Sequence, residues 1–184
     1  MGDVWLVRHG ATEWSEAGRH TSTTDLPLTE DGEEVARSLR PKLDRDFALV
    51  LTSPRRRARE TAELAGHGAA EVDADLAEWA YGDYEGVTSD EIRASVPGWT
   101  VWTHPCPGGE TAAEVSVRLD RVVARCGAVG GDALVFGHGH ALRGLAARWL
   151  RLPVTDGRLL RLDTGTVSVL SHEREEPVVL RWNS

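Results

Sequence analysis

Short apolar runs and longer amphipathic segments alternate along the chain. The apolar runs have the length and continuity of buried strands, which are shielded on both faces in a parallel sheet. The strand candidates lie at 3–7, 48–52, 71–76, 133–136, 166–171 and 178–182. Because helical segments separate most of these runs, the pattern predicts an α/β fold, a three-layer α/β/α sandwich with a mainly parallel central sheet. The last two runs are close enough in sequence to form a hairpin.

Capping residues and proline predict where the first helices begin and end. Thr29 stands at the N-cap position before an apolar stripe within residues 35–43. Pro41 lies inside that stripe and predicts a kink or an early end. Ser53 and Pro54 are predicted to be the cap and the first residue of a second helix. Both helices would follow a strand and pack on the sheet.

Two long stretches do not fit the strand–helix alternation. Residues 11–30 form a polar segment longer than most connections in compact domains, which indicates a functional loop. Residues 77–109 are rich in glycine, proline and aromatic side chains and are predicted to form a cap segment. The clearest helical stripe follows at 110–125, and another helix is predicted after 139. Since no repeat or linker interrupts the chain, residues 1–184 are interpreted as one domain.

The composition excludes some classes of protein. The 184 residues carry a net charge of −8 with a pI near 5.4, which argues against a general nucleic-acid binder. Lys42 is the only lysine, so nearly all positive charges are arginines. Arginine presents a planar fork of donors that matches phosphate oxygens. A local basic pocket for a phosphorylated ligand is therefore compatible with the acidic chain.

The cysteines and the first residues indicate the compartment. Cys106 and Cys126 are far apart and form no CxxC pair, so neither a disulfide framework nor a cysteine zinc site is predicted. The residues after Met1 show no signal peptide, and no apolar stretch is long enough for a membrane span. We therefore expect a cytoplasmic protein with no membrane partner.

Three chemically active segments each follow an apolar run. Arg8-His9-Gly10 follows the first run, residues 53–57 follow the second, and His138 follows the fourth. In open α/β sheets, ligands bind at the carboxyl ends of the parallel strands. We therefore expect these three segments to meet at one edge of the sheet.

The residue types in these segments suit the transfer of a phosphoryl group. Such a transfer needs a neutral nucleophile, cations around the phosphate and an acid for the leaving oxygen. His9 can attack through one ring nitrogen while a hydrogen bond orients the other. Arg8 can hold phosphate oxygens, and Gly10 leaves room for phosphate to approach the backbone.

Four segments resemble, in order, the motifs of the histidine phosphatase superfamily, the phosphoglycerate-mutase-like enzymes. They are LVRHGATEW, SPRRRARETA, LAEWAYGDYEG and FGHGHALR, and their order and spacing hold from Val4 to Arg143. One RHG would be weak evidence, whereas four motifs in order are specific. The resemblance implies a phosphohistidine intermediate on His9, a three-layer fold, and neither metal nor cofactor.

The resemblance also assigns roles to individual residues. Arg57 matches the family's second phosphate-binding arginine, Glu78 its acid and His138 its second catalytic histidine, a donor most useful when protonated. The positions that match substrate contacts are Gly10, Ser15, Thr21, Ser22, Tyr81 and Gly139. The serine at position 15 replaces the asparagine of the mutases, which weakens the mutase geometry more than the phosphatase chemistry.

Other assignments stay open from the sequence. Asp75 or Glu85 could replace Glu78 as the acid. His138 and His140 form an HxH pair that could bind a metal, although no further ligands stand at a matching spacing. His20, in the long polar loop, is a further candidate to reach substrate.

The segment after the acid distinguishes a phosphatase from a mutase. Mutases of the family clamp the far end of the substrate with extra cations in a long insertion, and residues 87–109 offer only Arg93. Water is therefore the predicted acceptor, and few cations outside the core site argue against a bisphosphate substrate. The phrases GRHTSTTDLPLT, EWAYGDYEG and GHGHALR resemble a small branch of acid phosphatases and sedoheptulose-bisphosphatase-like enzymes.

The predicted activity is thus hydrolysis of small phosphomonoesters. The partners expected are a small phosphorylated metabolite, with inorganic phosphate as the product, and a homodimer is allowed. The alternatives are a phosphoglycerate-type mutase, a catalytically silent module that binds phosphorylated ligands, and a metal hydrolase built on His138 and His140.

Overall fold

The computed structural model describes residues 2–184, where strands and helices alternate as the apolar pattern predicts. The strands are β1 (Val4–Arg8), β2 (Leu49–Thr52), β3 (Glu71–Val72), β4 (Ala133–Gly137), β5 (Val167–Glu173) and β6 (Glu176–Arg181). The α-helices are α1 (Glu13–Glu16), α2 (Glu30–Ser38), α3 (Arg56–Leu64), α4 (Ser89–Ser95), α5 (Ala112–Ala128) and α6 (Gly139–Trp149). Short 3₁₀ helices lie at Arg40–Lys42, Ala74–Leu76, Gly82–Tyr84 and Val154–Leu159.

The strands form one mixed sheet in the order β3-β2-β4-β1-β5-β6. The pairs β2–β3, β2–β4 and β1–β4 are parallel, whereas β1–β5 and the hairpin β5–β6 are antiparallel. The predicted α/β fold with a mainly parallel sheet is confirmed, and the last two runs do form a hairpin. The central strands β2, β4 and β1 end side by side.

The pleat of the sheet divides the apolar side chains between two cores. Leu6 and Val135 lie in the core on the side of α5 and α6. Val7 and Phe136, the next residues on the same strands, lie in the core beneath α2 and α3. All four side chains are completely buried. Successive side chains of a strand point to opposite faces, so an uninterrupted apolar run is what a sheet covered on both faces requires.

The predicted start of α2 is confirmed, and that of α3 is wrong. The Thr29 hydroxyl accepts a hydrogen bond from the N–H of Gly32, and the helix ends at Ser38 ahead of Pro41. Residues 53–55 instead form a turn before α3, whose N-cap is Arg55 without a side-chain bond. Ser53 is therefore not a helix cap, because its hydroxyl is used elsewhere.

Two further expectations need correction. The strand predicted at 71–76 covers only Glu71–Val72, and a 3₁₀ helix follows at Ala74–Leu76. Both residues of this short edge strand are exposed. Val35, placed in the apolar stripe, is 41% exposed, so Ala36 and Leu39 carry the buried face of that segment.

The stretch 77–109 is well packed rather than a loose loop. It contains α4, and its aromatic side chains join the core on the α5–α6 side, among them Trp79, Tyr81 and Trp99. Trp79 donates from Nε1 to the carbonyl oxygen of Glu110 at 2.9 Å, which ties the segment to the start of α5. None of the helices in residues 2–184 has the length and apolar character needed to cross a membrane.

Candidate active site

The carboxyl ends of β1, β2 and β4 bring the three predicted segments together. Arg8 ends β1 and is followed by His9, Ser53 follows β2, and His138 follows β4. The rings of His9 and His138 are 5.1 Å apart, centroid to centroid. The predicted convergence at one edge of the sheet is therefore observed.

One hydrogen bond determines which nitrogen of His9 can react. Its Nδ1 lies 2.7 Å from the carbonyl oxygen of Gly10, which can only accept, so Nδ1 carries the proton. Burial lowers the pKa of His9 well below its usual value, and the nearby Arg57 and Arg8 lower it further. The ring is thus neutral at neutral pH, with an unprotonated Nε2.

Two arginines are buried beside this ring. Arg57, on the first turn of α3, is 1% exposed and donates to the carbonyl oxygens of Thr21 at 3.0 Å and Thr24 at 3.1 Å. Arg8 donates to the carbonyl oxygen of Leu162. The Nε atoms of both arginines have no hydrogen-bond partner among residues 2–184. These bonds hold two cations next to His9 and leave donors free for an anion.

His138 is completely buried, and its partner is Ser53. Its Nε2 lies 2.6 Å from the Ser53 hydroxyl, which also accepts from the N–H of Arg55 at 3.3 Å. Burial, together with Arg57 and His9, lowers the pKa of His138 well below its usual value. We infer that Ser53 donates to Nε2 of a neutral ring, which leaves the proton on Nδ1. A neutral His138 would donate through Nδ1, which has no hydrogen-bond partner among residues 2–184.

Glu78 is held at the N-terminus of α6. Its Oε1 accepts from the N–H groups of Ala141 at 2.7 Å and Trp79 at 2.9 Å, and its Oε2 accepts from His140 at 3.0 Å. The free N–H groups and the dipole of a helix N-terminus favour a carboxylate there. The side chain is fixed close to Arg8 and Tyr81 at the edge of the cavity described next.

The alternative acids are occupied elsewhere. Asp75 forms a two-bond pair with Arg121, which lowers the pKa of the Asp75 carboxyl. Glu85 accepts from Ser22 and from the N–H of Thr24, bonds that lower the pKa of its carboxyl. Neither carboxylate lines the cavity, so Glu78 is the carboxylate nearest to His9 in that lining.

A cavity of about 240 Å³ opens over His9. Predicted site residues in its lining are Arg8, His9, Ser15, Thr21, Glu78, Tyr81 and Gly139. His20 and His140, weighed as candidates, also line it. Thr12, which lies within the first family motif, is also in the lining, whereas the sequence assigned no role to the remaining lining residues, Gly18, Arg19 and Arg143. Arg143 could have been found from helix periodicity, since it lies one turn after His140 on the same face of α6.

Four predicted site residues are not in that lining: Arg57 and His138, which are buried, and Gly10 and Ser22. A Cβ at Gly10 would lie 2.3 Å from the carbonyl oxygen of Gly32, so the glycine permits close packing on α2. Ser22 is 2% exposed; its hydroxyl donates to Glu85 and accepts from the N–H of Tyr81 at 3.3 Å. Gly10 and Ser22 support the cavity wall without facing the cavity, and their contact with substrate stays a prediction.

A neutral aromatic wall closes one side of the cavity. The Tyr81 hydroxyl lies 2.6 Å from Nδ1 of His140, and the rings of Tyr81 and His20 are 4.7 Å apart. Burial raises the pKa of Tyr81 well above its usual value, so the phenol stays protonated. Burial also lowers the pKa of His20 to about 4 and that of His140 well below its usual value.

A second cavity of about 370 Å³ adjoins the first and shares His20, His140 and Arg143 with it. Arg93 and Arg158 also line it, and its lining contains no carboxylate. The guanidinium of Arg143 stacks over the Trp102 ring at 4.8 Å. The expectation that cations are scarce beyond the core site is therefore wrong: the fold brings Arg143 and Arg158 to Arg93 from outside the 87–109 segment.

The structure also shows how the side chains that could bind a metal are arranged. Within residues 2–184, no three histidine, cysteine or acidic side chains converge closely enough to hold a metal ion. His138 is bonded through Nε2 to Ser53, and His140 through Nδ1 to Tyr81. Cys106 and Cys126 are both free thiols in the core, and burial raises their pKa values to about 11 and about 12.

Comparisons with known proteins agree with this geometry. An acid phosphatase of Mycobacterium tuberculosis is 43% identical over 173 residues, which cover 91% of this chain and 85% of the relative. A sedoheptulose 1,7-bisphosphatase of Saccharomyces cerevisiae is 38% identical over 183 residues, covering 81% of this chain and 68% of the relative. Relatives named as phosphoglycerate mutases match at 29–30% identity.

The fold and the sequence family match as well. A solved structure of an open reading frame product from Mycobacterium tuberculosis superposes with a TM-score of 0.93 at 40% identity, covering 99% of this chain and 97% of that one. Residues 4–184 match the family model described as the histidine phosphatase superfamily, branch 1. The chain therefore belongs to the histidine phosphatase superfamily.

Proposed function

We propose that the chain hydrolyses small phosphomonoesters through a phosphohistidine on Nε2 of His9. The observation that carries this proposal is the hydrogen bond from His9 Nδ1 to the Gly10 carbonyl, which leaves Nε2 unprotonated on a ring that lies near the buried Arg8 and Arg57. The family and its acid phosphatase relative make the chain a phosphatase. The roles of individual residues are our proposal.

In the first step, Nε2 of His9 attacks phosphorus and the bond to the leaving oxygen breaks. Arg8, Arg57 and the Nδ1–H of His138 hold the non-bridging oxygens, where negative charge must be stabilised. Glu78 in its acid form gives its proton to the leaving oxygen, and the helix N-terminus assists this transfer because it favours the carboxylate that remains. Two N–H groups already occupy Oε1, whereas Oε2 accepts only one, so Oε2 is the oxygen with room for that proton.

In the second step, water attacks the phosphohistidine and the N–P bond breaks. Glu78, now a carboxylate, takes a proton from that water, and inorganic phosphate leaves. The cycle regenerates neutral His9 and protonated Glu78, so protons and charges balance. The proposed chemistry uses only side chains of this chain.

Three alternatives have less support than metal-independent hydrolysis. A mutase relies on a polar side chain at position 15, but the Ser15 hydroxyl is engaged with the backbone of Thr12 in the cap of α1. A silent binding module would lack one of the reacting groups, yet His9, Arg57 and His138 stand together. A metal hydrolase would need at least three converging ligands, and the described residues 2–184 bring no such group together.

The second cavity supports a finer proposal about the substrate. It shares His20, His140 and Arg143 with the cavity over His9, and it is lined by Arg93 and Arg158 but by no carboxylate. A substrate with a second anionic group at its far end would match this charge. We therefore propose a compact bisphosphate or a phosphate ester bearing a carboxylate, in line with the relative named as a bisphosphatase. Residues 77–109 would act as the cap within one domain, and a cytoplasmic location and a homodimer stay predictions.

The experiment is phosphate release from a panel of phosphomonoesters in the presence of a chelator. The panel contains a nitrophenyl phosphate, an alkyl phosphate and a sugar bisphosphate. His9→Ala should abolish turnover, since it removes the nucleophile, while circular dichroism shows an unchanged fold. Glu78→Gln should depress alkyl phosphate turnover by about 10²–10⁴-fold, the range for general acid catalysis, and nitrophenyl phosphate turnover far less. Retained turnover in His9→Ala would refute the phosphohistidine.

A further inference from the structure

One ion pair outside the cavity grips the backbone on both sides of Glu78. Arg118, on α5, is 8% exposed, and its NH1 donates to the carbonyl oxygens of Ala77 at 2.8 Å and Asp75 at 2.7 Å. The Ala77 carbonyl belongs to the peptide bond that leads directly into Glu78. Arg118 therefore holds the chain on the amino-terminal side of the acid.

Glu110 holds the other side. Its Oε2 accepts from the N–H of Ala80 at 2.8 Å, and its own N–H donates to the Ala80 carbonyl at 2.9 Å. Its carbonyl oxygen accepts from Nε1 of Trp79 at 2.9 Å. Arg118 and Glu110 are joined by two bonds, Nε to Oε1 at 2.7 Å and NH2 to Oε2 at 2.9 Å. Residues 77 and 80 are thus fastened to one rigid pair.

The carboxylate and the backbone of Glu78 are held by different helices. The N-terminus of α6 binds the carboxylate, whereas α5, through Arg118, binds the preceding peptide. The two helices pack against each other. The direction in which Oε2 faces the site therefore depends on both attachments, and neither Arg118 nor Glu110 lines the cavity over His9.

We propose that Arg118 and Glu110 are positioning residues for the general acid. The inference rests on the proposed role of Glu78. Arg118 makes its four bonds through a planar fork in fixed directions, which a lysine ammonium cannot reproduce from one nitrogen. A shift of about 1 Å in a reacting group can cost about 10²-fold in rate. Loosening the pair should therefore weaken proton donation while the nucleophile and the phosphate donors stay in place.

The test compares Arg118→Lys with Arg121→Lys, a matched control. Arg121 lies one turn further along α5 and forms a two-bond pair with the Asp75 side chain, but it makes no bond to residues 77–80. For Arg118→Lys we expect kcat on an alkyl phosphate to fall by about 10- to 100-fold, part of what the acid contributes. On nitrophenyl phosphate, whose leaving group needs little protonation, the fall should stay below about three-fold. Arg121→Lys should leave both values unchanged.

A double variant separates positioning from general loosening. If Arg118 acts through Glu78, Arg118→Lys combined with Glu78→Gln should be no slower on the alkyl phosphate than Glu78→Gln alone. A further multiplicative loss, or an equal loss on both substrates in Arg118→Lys, would overturn the inference. If Glu78→Gln itself shows no dependence on the leaving group, the acid assignment fails first. Should Arg118→Lys not fold, Glu110→Gln keeps the size of the partner and must show the same selectivity.

Discussion

At the scale of single residues, the Ser53 hydroxyl is the contact on which the proposed role of His138 depends. It lies 2.6 Å from Nε2 of His138, and we infer that it donates there and leaves the proton on Nδ1. Its position directly after β2 made it resemble a helix cap in the sequence. A buried side chain that chooses the tautomer of a catalytic histidine acts on chemistry without touching substrate.

This contact leads to a prediction for Ser53→Ala. Without the hydroxyl, His138 can place its proton on Nε2 and lose the Nδ1–H that we assign to phosphate binding. A net hydrogen bond is worth about 0.5–1.5 kcal/mol, so kcat should fall by roughly three- to ten-fold. Steady-state kinetics on nitrophenyl phosphate measures this, with the melting temperature as a control for folding. A kcat equal to that of the unaltered protein would show that Ser53 does not set the tautomer.

The sequence predicts residues whose chemistry and position coincide, and it misses those whose role depends on the fold. His9 and His138 follow apolar strands, so their convergence could be foreseen from topology alone. Arg158 could not, because its approach to Arg93 depends on how the 3₁₀ helix at Val154–Leu159 packs beside the cap segment. The contacts of Glu110 and Arg118 with residues 77–80 likewise could not be predicted, because they depend on how the fold packs α5 against that segment.

At the scale of elements, the strands that lead into the proposed catalytic residues were the easiest to predict. β1, β2 and β4 lie in the middle of the sheet and are covered on both faces, so their apolar runs are continuous. β3 is a short strand at the edge of the sheet and both of its residues are exposed, so the apolar pattern does not indicate where it ends. Residues 53–55 form a turn instead of the predicted helix start. The Ser53 hydroxyl bonds to His138 rather than capping the helix.

The wall of the second cavity yields a prediction at the same scale. Arg158→Ala and Arg93→Ala should each lower kcat/KM for a sugar bisphosphate by roughly five- to twenty-fold, since charged hydrogen bonds contribute about 1.5–3 kcal/mol before solvent screening. The matching monophosphate should be unaffected, because it does not reach these arginines. Arg37→Ala, on the surface of α2, is the control for a lost exposed arginine. Equal effects on both substrates would contradict a distal anion site.

At the scale of the whole molecule, the buried histidines link catalysis to stability. Burial keeps the pKa values of His9, His138 and His140 well below the usual value, and that of His20 at about 4. A neutral ring is what the nucleophile proposed at His9 requires. Because of these lowered pKa values, the four histidines bind protons more readily in the unfolded chain than in the folded protein. The free energy of unfolding must therefore change with pH.

The sign and the window of that change follow from the direction of the shifts. The stability contributed by these histidines is complete above the unfolded pKa of about 6.5 and is lost as pH falls toward the folded values. Each histidine costs up to about 1.4 kcal/mol per pH unit in that window. Carboxyl groups with lowered pKa, such as Asp75 and Glu85, act only below about pH 5, near their unfolded values.

Urea unfolding at pH 7 and pH 5 tests this prediction, and His20 allows the share of one group to be isolated. The free energy of unfolding should be lower at pH 5, and His20→Asn should reduce the difference between the two pH values by about 1–2 kcal/mol, from its shift to about 4. Ser89→Ala is the matched control, because it removes the hydrogen-bond partner of His20 at 3.2 Å without removing a titrating group. It should lower stability equally at both pH values. If His20→Asn and Ser89→Ala behave alike, the ring is not held neutral by burial.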